Sequence, residues 1–396
     1  MRNKILFVLH LPPPVHGAAM VGKYIQESKV INEDFQCRYI NLALARSLED
    51  IGHGGLSKLL KFLKLLVQIR KEVKDFRPDL VYVTPNACGG AFYKDFVVVQ
   101  MLKLMGCRVV AHYHNKGVST MQDRFFDDLL YKSFFKKLKV ILLSEALYAD
   151  VEKYVRKSDV YICPNGIPET CLVEPVSERH NPVPKLLFLS NLLVSKGILV
   201  LLDALVILKD KGYQFVCDFV GGETSEMSAG FFHNEVKIRH LETYVTYNGK
   251  KYGDDKEAFL KHADVFVFPT FYHNETFGLV VLEAMQHKIP VITTGEGGLP
   301  DIVKDGVNGY ICEKQNPESL AYYTILLLDD EKLRWRMGEE GYKRYKSHYT
   351  LSAFEANFGR IMMTLVGGAR TELYEVDYES NLAACLCNKM EALVCC

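Results

Sequence analysis

What most constrains this chain is a repeated alternation. Short, near-continuous apolar runs are each followed by a longer helical stretch, in two sets separated by a proline-rich break. In the first set, Ile5–Leu9, Cys37–Ile40, Leu80–Val83, Arg108–Ala111 and Val140–Leu143, with Val160–Cys163 as a sixth, read as strands buried on both faces. Ala18–Ser28, Leu56–Phe76, Gly90–Leu104, Asp123–Phe135 and Glu145–Tyr154 read as the intervening helices. Such alternation predicts a parallel sheet covered on both faces. From Pro164 to Pro184 the apolar periodicity stops, and Gly166, Pro168, Pro175 and Pro182 punctuate what reads as a linker.

The pattern then restarts. Leu186–Leu189, Phe215–Val220, Tyr244–Tyr247, Val265–Phe268, Pro290–Thr293 and Tyr310–Cys312 read as strands. Ile198–Lys209, Lys256–His262, Leu279–Gln286 and Glu318–Leu328 read as helices between them. The expected fold is α/β, with two doubly wound Rossmann-like domains, residues 1–165 and 185–345, joined by a linker over 166–184. A helix over 346–366 is expected to pack back on the first domain, before a poorly ordered tail over 367–396. A length of 396 residues suits two domains better than one core. Ligands of such sheets bind beyond the carboxyl ends of the strands, so a cleft between the domains is the expected site.

Charge separates the halves. The formal net charge is zero, with 48 basic and 48 acidic side chains, which argues against a nucleic-acid partner recognised through overall basicity. Yet residues 1–168 carry a net +9 and the remainder −9. The 11 cysteines are odd in number and unpatterned, as in a reduced, cytoplasmic protein. Cys385, Cys387, Cys395 and Cys396 crowd the tail at spacings that match no standard zinc pattern. No apolar run approaches the roughly 20 residues of a membrane span. Lys4-Ile5-Leu6-Phe7-Val8-Leu9 reads as a first buried strand rather than a leader peptide.

The most informative segment runs from Phe268 to Ala284, where an apolar strand ends at Pro269, a polar loop follows and a helix starts near Gly278. The backbone N–H groups of Phe277, Gly278 and Leu279 would be the unpaired donors of that helix, a ready anion site. Gly278 admits close approach of a ligand. Glu275 and Glu283 flank this site, and carboxylates there suit hydroxyl partners, as on a sugar or ribose. The plainer reading is an acidic N-terminal turn favoured by the helix dipole, with Glu283 exposed.

Glu275-x7-Glu283, followed by Gly297-Gly298-Leu299-Pro300-Asp301 and Asp305-Gly306-Val307-Asn308-Gly309, resembles the donor-binding domain of the retaining GT-B glycosyltransferases of family 4, the group 1 glycosyl transferases. Pro164-Asn165-Gly166-Ile167 resembles that family's interdomain segment, and Ser195-Lys196-Gly197 the loop after the first strand of its second domain. The resemblance covers roughly residues 3–345. It implies a GT-B fold and transfer of a sugar, with retention, from a nucleotide-sugar donor to a glycan or lipid-linked acceptor in surface polysaccharide or glycolipid synthesis. UDP- or GDP-sugars are the first expectation, with no cofactor and no metal.

By the same resemblance Glu283 would bind the ribose and Glu275 the transferred sugar. Lys196 and the amides of Phe277 and Gly278 would hold the diphosphate. The family usually has an Arg five residues before the Lys, where this chain has Asn191. Asn donates a hydrogen bond but brings no charge, so diphosphate holding would lean on Lys196 and the helix amides. Two other outcomes remain open: a catalytically weak scaffold subunit, motivated by Asn191, and a nucleotide-sugar epimerase on the same architecture.

In the first domain His112-Tyr113-His114-Asn115 closes a strand, and the resemblance implies that a His there, His114 over His112, serves near the transferred sugar with Asn115 on the acceptor side. Pro14-Val15-His16-Gly17 lies between the first strand and helix, with Gly17 implied near the donor phosphates and His16 near the acceptor. The helix 56–76 sets Lys58, Lys61, Lys64 and Lys71 on one stripe, opposite Leu59, Leu60, Leu63, Leu66 and Val67. It reads either as a sheet-covering helix with a solvated basic face, or as one that contacts anionic lipid at the inner face of a membrane through Lys58, Lys61 and Lys64.

Overall fold

A computed structural model of the chain describes residues 2–13, 17–43, 56–170 and 181–367. It contains two six-stranded sheets, parallel throughout. The first holds β1 (Lys4–Leu9), β2 (Gln36–Asn41), β3 (Leu80–Val83), β4 (Val109–His112), β5 (Lys139–Leu142) and β6 (Val160–Ile162) in the order β2-β1-β3-β4-β5-β6. The crossovers carry α1 (Gly17–Glu27), α2 (Lys29–Asp34), α3 (Leu56–Phe76), α4 (Gly89–Leu104), α5 (Val118–Met121) and α6 (Phe125–Phe135).

The second sheet orders β7 (Lys185–Leu189), β8 (Val216–Val220), β9 (Val245–Tyr247), β10 (Val265–Phe268), β11 (Val291–Thr294) and β12 (Gly309–Cys312) as β12-β11-β10-β7-β8-β9. Its helices are α7 (Ile198–Asp210), α8 (Ala229–Ile238), α9 (Gly253–His262), α10 (Leu279–Gln286), α11 (Leu299–Ile302), α12 (Pro317–Asp329) and α13 (Glu331–His348), followed by α14 (Leu351–Gly367). In both sheets the order reverses beside the first strand, which opens the crevice where α/β proteins bind ligands.

Strand pleating decides which helices cover which face. Ile5, Phe7 and Leu9 of β1 share a core with α1, α2 and α14, whereas Leu6 and Val8 belong to the core under α3, α4 and α6. α14 lies on the first sheet, where Phe358 packs edge-on against Tyr82 with ring centroids 5.4 Å apart. α13 runs through position 345, the expected end of the second domain, because Tyr345 and Met337 are core residues of that helix. β1 is an interior strand, buried from Ile5 to Leu9.

Two sequence expectations are corrected. Glu145–Tyr154 is not an α-helix. A 3-10 turn covers Glu145–Asp150 with i→i+3 bonds such as Val151 N–H to Tyr148 O (3.0 Å), and Asp150 is drawn off to accept from the N–H groups of Gly117, Val118 and Ser119. In α3 the stripe Leu59, Leu60, Leu63 and Val67 does not face the sheet but is exposed, with Leu66 half-buried. Leu65, Ile69, Val73 and Phe76, also at helical spacing, form the buried face. The helix offers two apolar stripes, and the hydrophobic pattern alone does not choose between them.

The His16 assignment lies outside the described residues, as does residues 368–396 of the tail, and the side chain of Lys58 is likewise outside them. Among the described residues no helix is long and apolar enough to cross a membrane.

Candidate active site between the domains

A cavity of 310 Å³ lies between the domains at the carboxyl ends of both sheets. Gly17, Ala18, His114 and Asn165 line it from the first domain. Ser190, Lys196, Phe268 and Glu275 through Val280 line it from the second. Two helices begin here: α1 at Gly17 and α10 at Leu279. They approach so closely that a Cβ on Gly17 would stand 3.8 Å from Leu279 Cδ1. The unpaired amides and positive dipole ends of both helices therefore converge on one small volume, which favours an anion.

Gly278 makes the turn into α10. Its φ is +73°, a left-handed conformation, and an added Cβ would meet Leu299 Cδ2 at 2.8 Å. Lys196 comes from a 3-10 turn, Val194–Lys196, after β7. Its ammonium lies 2.6 Å from Glu275 Oε2, and 4.5 Å from the ring centroid of Tyr272. Glu275 is only 8% exposed, on the loop between β10 and α10. A cation and a carboxylate thus sit at the mouth of the twin helix termini.

His114 lines the cavity, while Thr276 Oγ1 donates 3.0 Å to the His114 carbonyl and ties the two domains there. His112, by contrast, is fully buried and bonded through Nδ1 to the Tyr82 hydroxyl at 2.7 Å. Burial, and then the neighbouring His114, push its pKa well below the ordinary 6.5. Of the two strand-end histidines, the cavity presents His114.

Three other sequence candidates stand off the cavity lining. Asn115 is turned away, its Oδ1 accepting from Ala87 N–H at 2.6 Å. Asn191 is exposed, and its Oδ1 accepts from Gly222 N–H at 3.2 Å, while the adjacent Ser190 lines the cavity. Glu283 lies along α10 behind the lining, with Oε1 2.8 Å from Lys256 Nζ. Its Oε2 is buried and finds no hydrogen-bond partner among the described residues.

Some residues around the site were given no role in it by the sequence. Asn165 is buried at the cavity wall, and its Oδ1 has no partner among the described residues. Tyr24 on α1 has a hydroxyl pKa raised by burial and then by the negative charges of Glu283 and Glu27, so it belongs to the surroundings of Glu283. Lys256 could not be paired with Glu283 from sequence, because the residues meet only when α9 is laid beside α10.

A second cavity, of 440 Å³, also lies between the domains and uses the other side of the β10–α10 loop, through Phe271 and His273. On its wall Glu296 bridges the domains, bonded to Lys116 of the first and, at 2.6 Å, to Lys314 of the second. Burial pushes the Glu296 carboxyl up, but the two ammonium groups outweigh that and hold it below its ordinary value. Ser144 and Asp301 add a further interdomain hydrogen bond.

Comparison with known proteins agrees with this geometry. Residues 173–344 match the family model described as glycosyl transferases group 1. An uncharacterized glycosyltransferase of Methanocaldococcus jannaschii is 26% identical over 298 residues, 72% of this chain and 75% of that protein. The capsular polysaccharide biosynthesis glycosyltransferase CapM of Staphylococcus aureus is 32% identical over 163 residues, 41% of each chain, so this match spans less than half of CapM. Among solved structures, Anabaena HepE in complex with UDP-glucose superposes with a TM-score of 0.68 at 17% identity, covering 91% of this chain and 99% of that one.

Proposed function

We propose that this chain, which belongs to the group 1 glycosyl transferases and has the GT-B fold, moves a sugar from a nucleoside-diphosphate donor to a glycan or lipid-linked acceptor with retention at the anomeric carbon. The observation that carries the reading is the convergence of the α1 and α10 N-termini, Lys196 and Glu275 on one cavity. A diphosphate seated there meets helix amides on both sides and the Lys196 ammonium. Negative charge grows on the leaving phosphate oxygen as the glycosidic bond breaks, so these groups stabilise the transition state more than the ground state. No metal is required for that role.

Glu275 accepts hydrogen bonds from hydroxyls of the transferred sugar and stabilises positive charge developing at its anomeric carbon. Glu283, once released from Lys256 or together with it, accepts from the ribose. The acceptor hydroxyl attacks the anomeric carbon from the face the phosphate leaves. Its oxygen forms the new bond, the bond to phosphate breaks, and the proton passes to the departing phosphate. His114, at the same wall, orients the sugar. Closure of the domains excludes water and limits donor hydrolysis. The likeness to a UDP-glucose-binding structure supports a UDP-sugar donor, and the likeness to CapM supports surface polysaccharide synthesis.

The test is turnover of UDP- and GDP-sugars, with the product's anomeric configuration read by proton NMR in the presence of EDTA. Net retention, undiminished by the chelator, is expected. An inverted product, or donor turnover that yields only an epimerised nucleotide sugar, overturns the proposal.

A further inference from the structure

We propose that residues 374–379 of the tail pair with the open edge of β2 and add a seventh parallel strand to the first sheet. The two edges of that sheet differ. At β6 the outward groups are taken: Asn357 of α14 donates 3.2 Å to the Ile162 carbonyl, and the Val160 N–H turns back to the Lys157 carbonyl. At β2, Gln36 N–H donates to the Asn3 carbonyl (2.9 Å) and Leu42 N–H to the Leu9 carbonyl (2.8 Å), so the even-numbered residues bond to β1. The N–H and C=O groups of Cys37, Tyr39 and Asn41 therefore point away from the sheet, and among the described residues no strand lies beside them. Such a row of groups is a template for one more strand.

The chain carries a segment of matching pattern. Tyr374-Glu375-Val376-Asp377-Tyr378-Glu379 alternates apolar and acidic residues through six positions, the period of a strand with one apolar face. Its apolar positions are aromatic or β-branched, the types that suit a pleated surface.

The end of α14 sets direction and reach. Arg108, just before β4, donates to the carbonyls of Leu365 and, at 3.1 Å, Val366, so α14 ends beside the amino ends of the strands. A strand entered from there runs parallel to β2. The position outside β2 lies four strand spacings from β4, about 19 Å. The seven Cα–Cα steps from Gly367 to Tyr374 span about 24 Å when extended. α14 already leans toward that edge, because it packs on α2.

Side-chain and hydrogen-bond directions alternate together along a strand. With its apolar face on the side of Cys37 and Tyr39, which pack on the core under α1, α2 and α14, the segment turns the N–H groups of Glu375, Asp377 and Glu379 toward β2. The acidic side chains then stand beside Arg38, exposed on the other face and shared with Glu72. Overall charge selects the same domain: residues 372–379 hold four acidic and no basic side chains, against a net +9 over residues 1–168. The pairing does not depend on sugar transfer.

The experiment is residue-resolved amide exchange, by NMR on the full chain. Slow exchange at Cys37, Tyr39 and Asn41 is expected in the wild type. Glu375→Pro/Asp377→Pro removes two N–H groups that face β2 and should speed exchange at those three amides by about tenfold or more. Ala383→Pro, beyond the segment, should not change it. Arg38 and Ile40, whose N–H groups bond to β1, should stay slow in every variant and report an intact sheet. Equal exchange at Cys37, Tyr39 and Asn41 in the wild type and the double variant overturns the proposal. So does protection that disappears when a dimer is diluted to monomer, which would assign the edge to a second copy of the chain.

Discussion

The Lys196 ammonium lies 2.6 Å from the Glu275 carboxylate, across the mouth of the cavity where α1 and α10 both begin. Before donor arrives, each neutralises the other in a largely buried place. In the proposed transfer, an entering diphosphate gives the ammonium a second anionic partner and leaves the carboxylate to the sugar hydroxyls. The two residues therefore fail differently when replaced. Lys196→Ala should weaken donor binding by about 1.5–3 kcal/mol, the range for a hydrogen bond to a charged group. Glu275→Gln should leave donor affinity within a few-fold and lower kcat by about 100-fold, as for a lost transition-state contact. Donor titration beside steady-state kinetics separates the two patterns, and equal effects of both variants on affinity would contradict these roles.

Gly278 gives a steric prediction. Its φ of +73° strains any residue with a side chain, and an added Cβ, 2.8 Å from Leu299 Cδ2, would force that leucine to shift. Gly278→Ala should cost about 1–3 kcal/mol of stability through backbone strain. It should also reduce the thermal shift produced by donor, because the first amides of α10 turn away from the cavity. Differential scanning calorimetry with and without UDP-sugar reads both effects.

These residues show where the sequence was legible. Strand positions followed from apolar runs, because a strand buried on both faces has no other composition available to it. The turn into α10 followed from a glycine between a strand and a helix. Partners that meet through tertiary packing left no such mark. Nothing in the chain around Lys256 announces Glu283, and Asn165 gives no local sign that its carboxamide oxygen ends at the cavity wall. α3 shows the limit most clearly: two apolar stripes at helical spacing were available, and only packing against the sheet selected Leu65, Ile69 and Val73 over Leu59, Leu63 and Val67.

His112 predicts a pH dependence of stability. Its folded-state pKa lies well below 6.5, so the imidazole stays neutral in the native state where the unfolded chain takes up a proton. Below the ordinary value the unfolded state binds more protons, and stability falls as the pH falls. The contribution is fully present above 6.5 and is lost progressively toward the lower folded-state value. Urea titrations over this range should show a shallower acid-side slope for His112→Gln than for the wild type. An unchanged slope would show that His112 is not the group responsible.

Glu296 predicts a pH dependence of domain contact. Its carboxyl is held below the ordinary 4.5, so the bridges to Lys116 and Lys314 persist above that value and are lost as the pH falls through the folded-state pKa. Glu296→Gln should remove the ionic part of the bridge at neutral pH and cost about 1 kcal/mol, because Lys116 is only partly buried and Lys314 is screened by solvent. Small-angle scattering should show a larger radius of gyration for the variant without donor, returning toward the wild-type value when donor is added.

The central claim is that the diphosphate of an activated sugar sits against the N-termini of α1 and α10 beside Lys196. Calorimetric titration of UDP and GDP into the wild type and Lys196→Ala tests it most directly. The account predicts that at least one nucleotide binds the wild type and binds the variant more than about tenfold more weakly. Equal affinity for both proteins, or binding of neither nucleotide to the folded wild type, would contradict it.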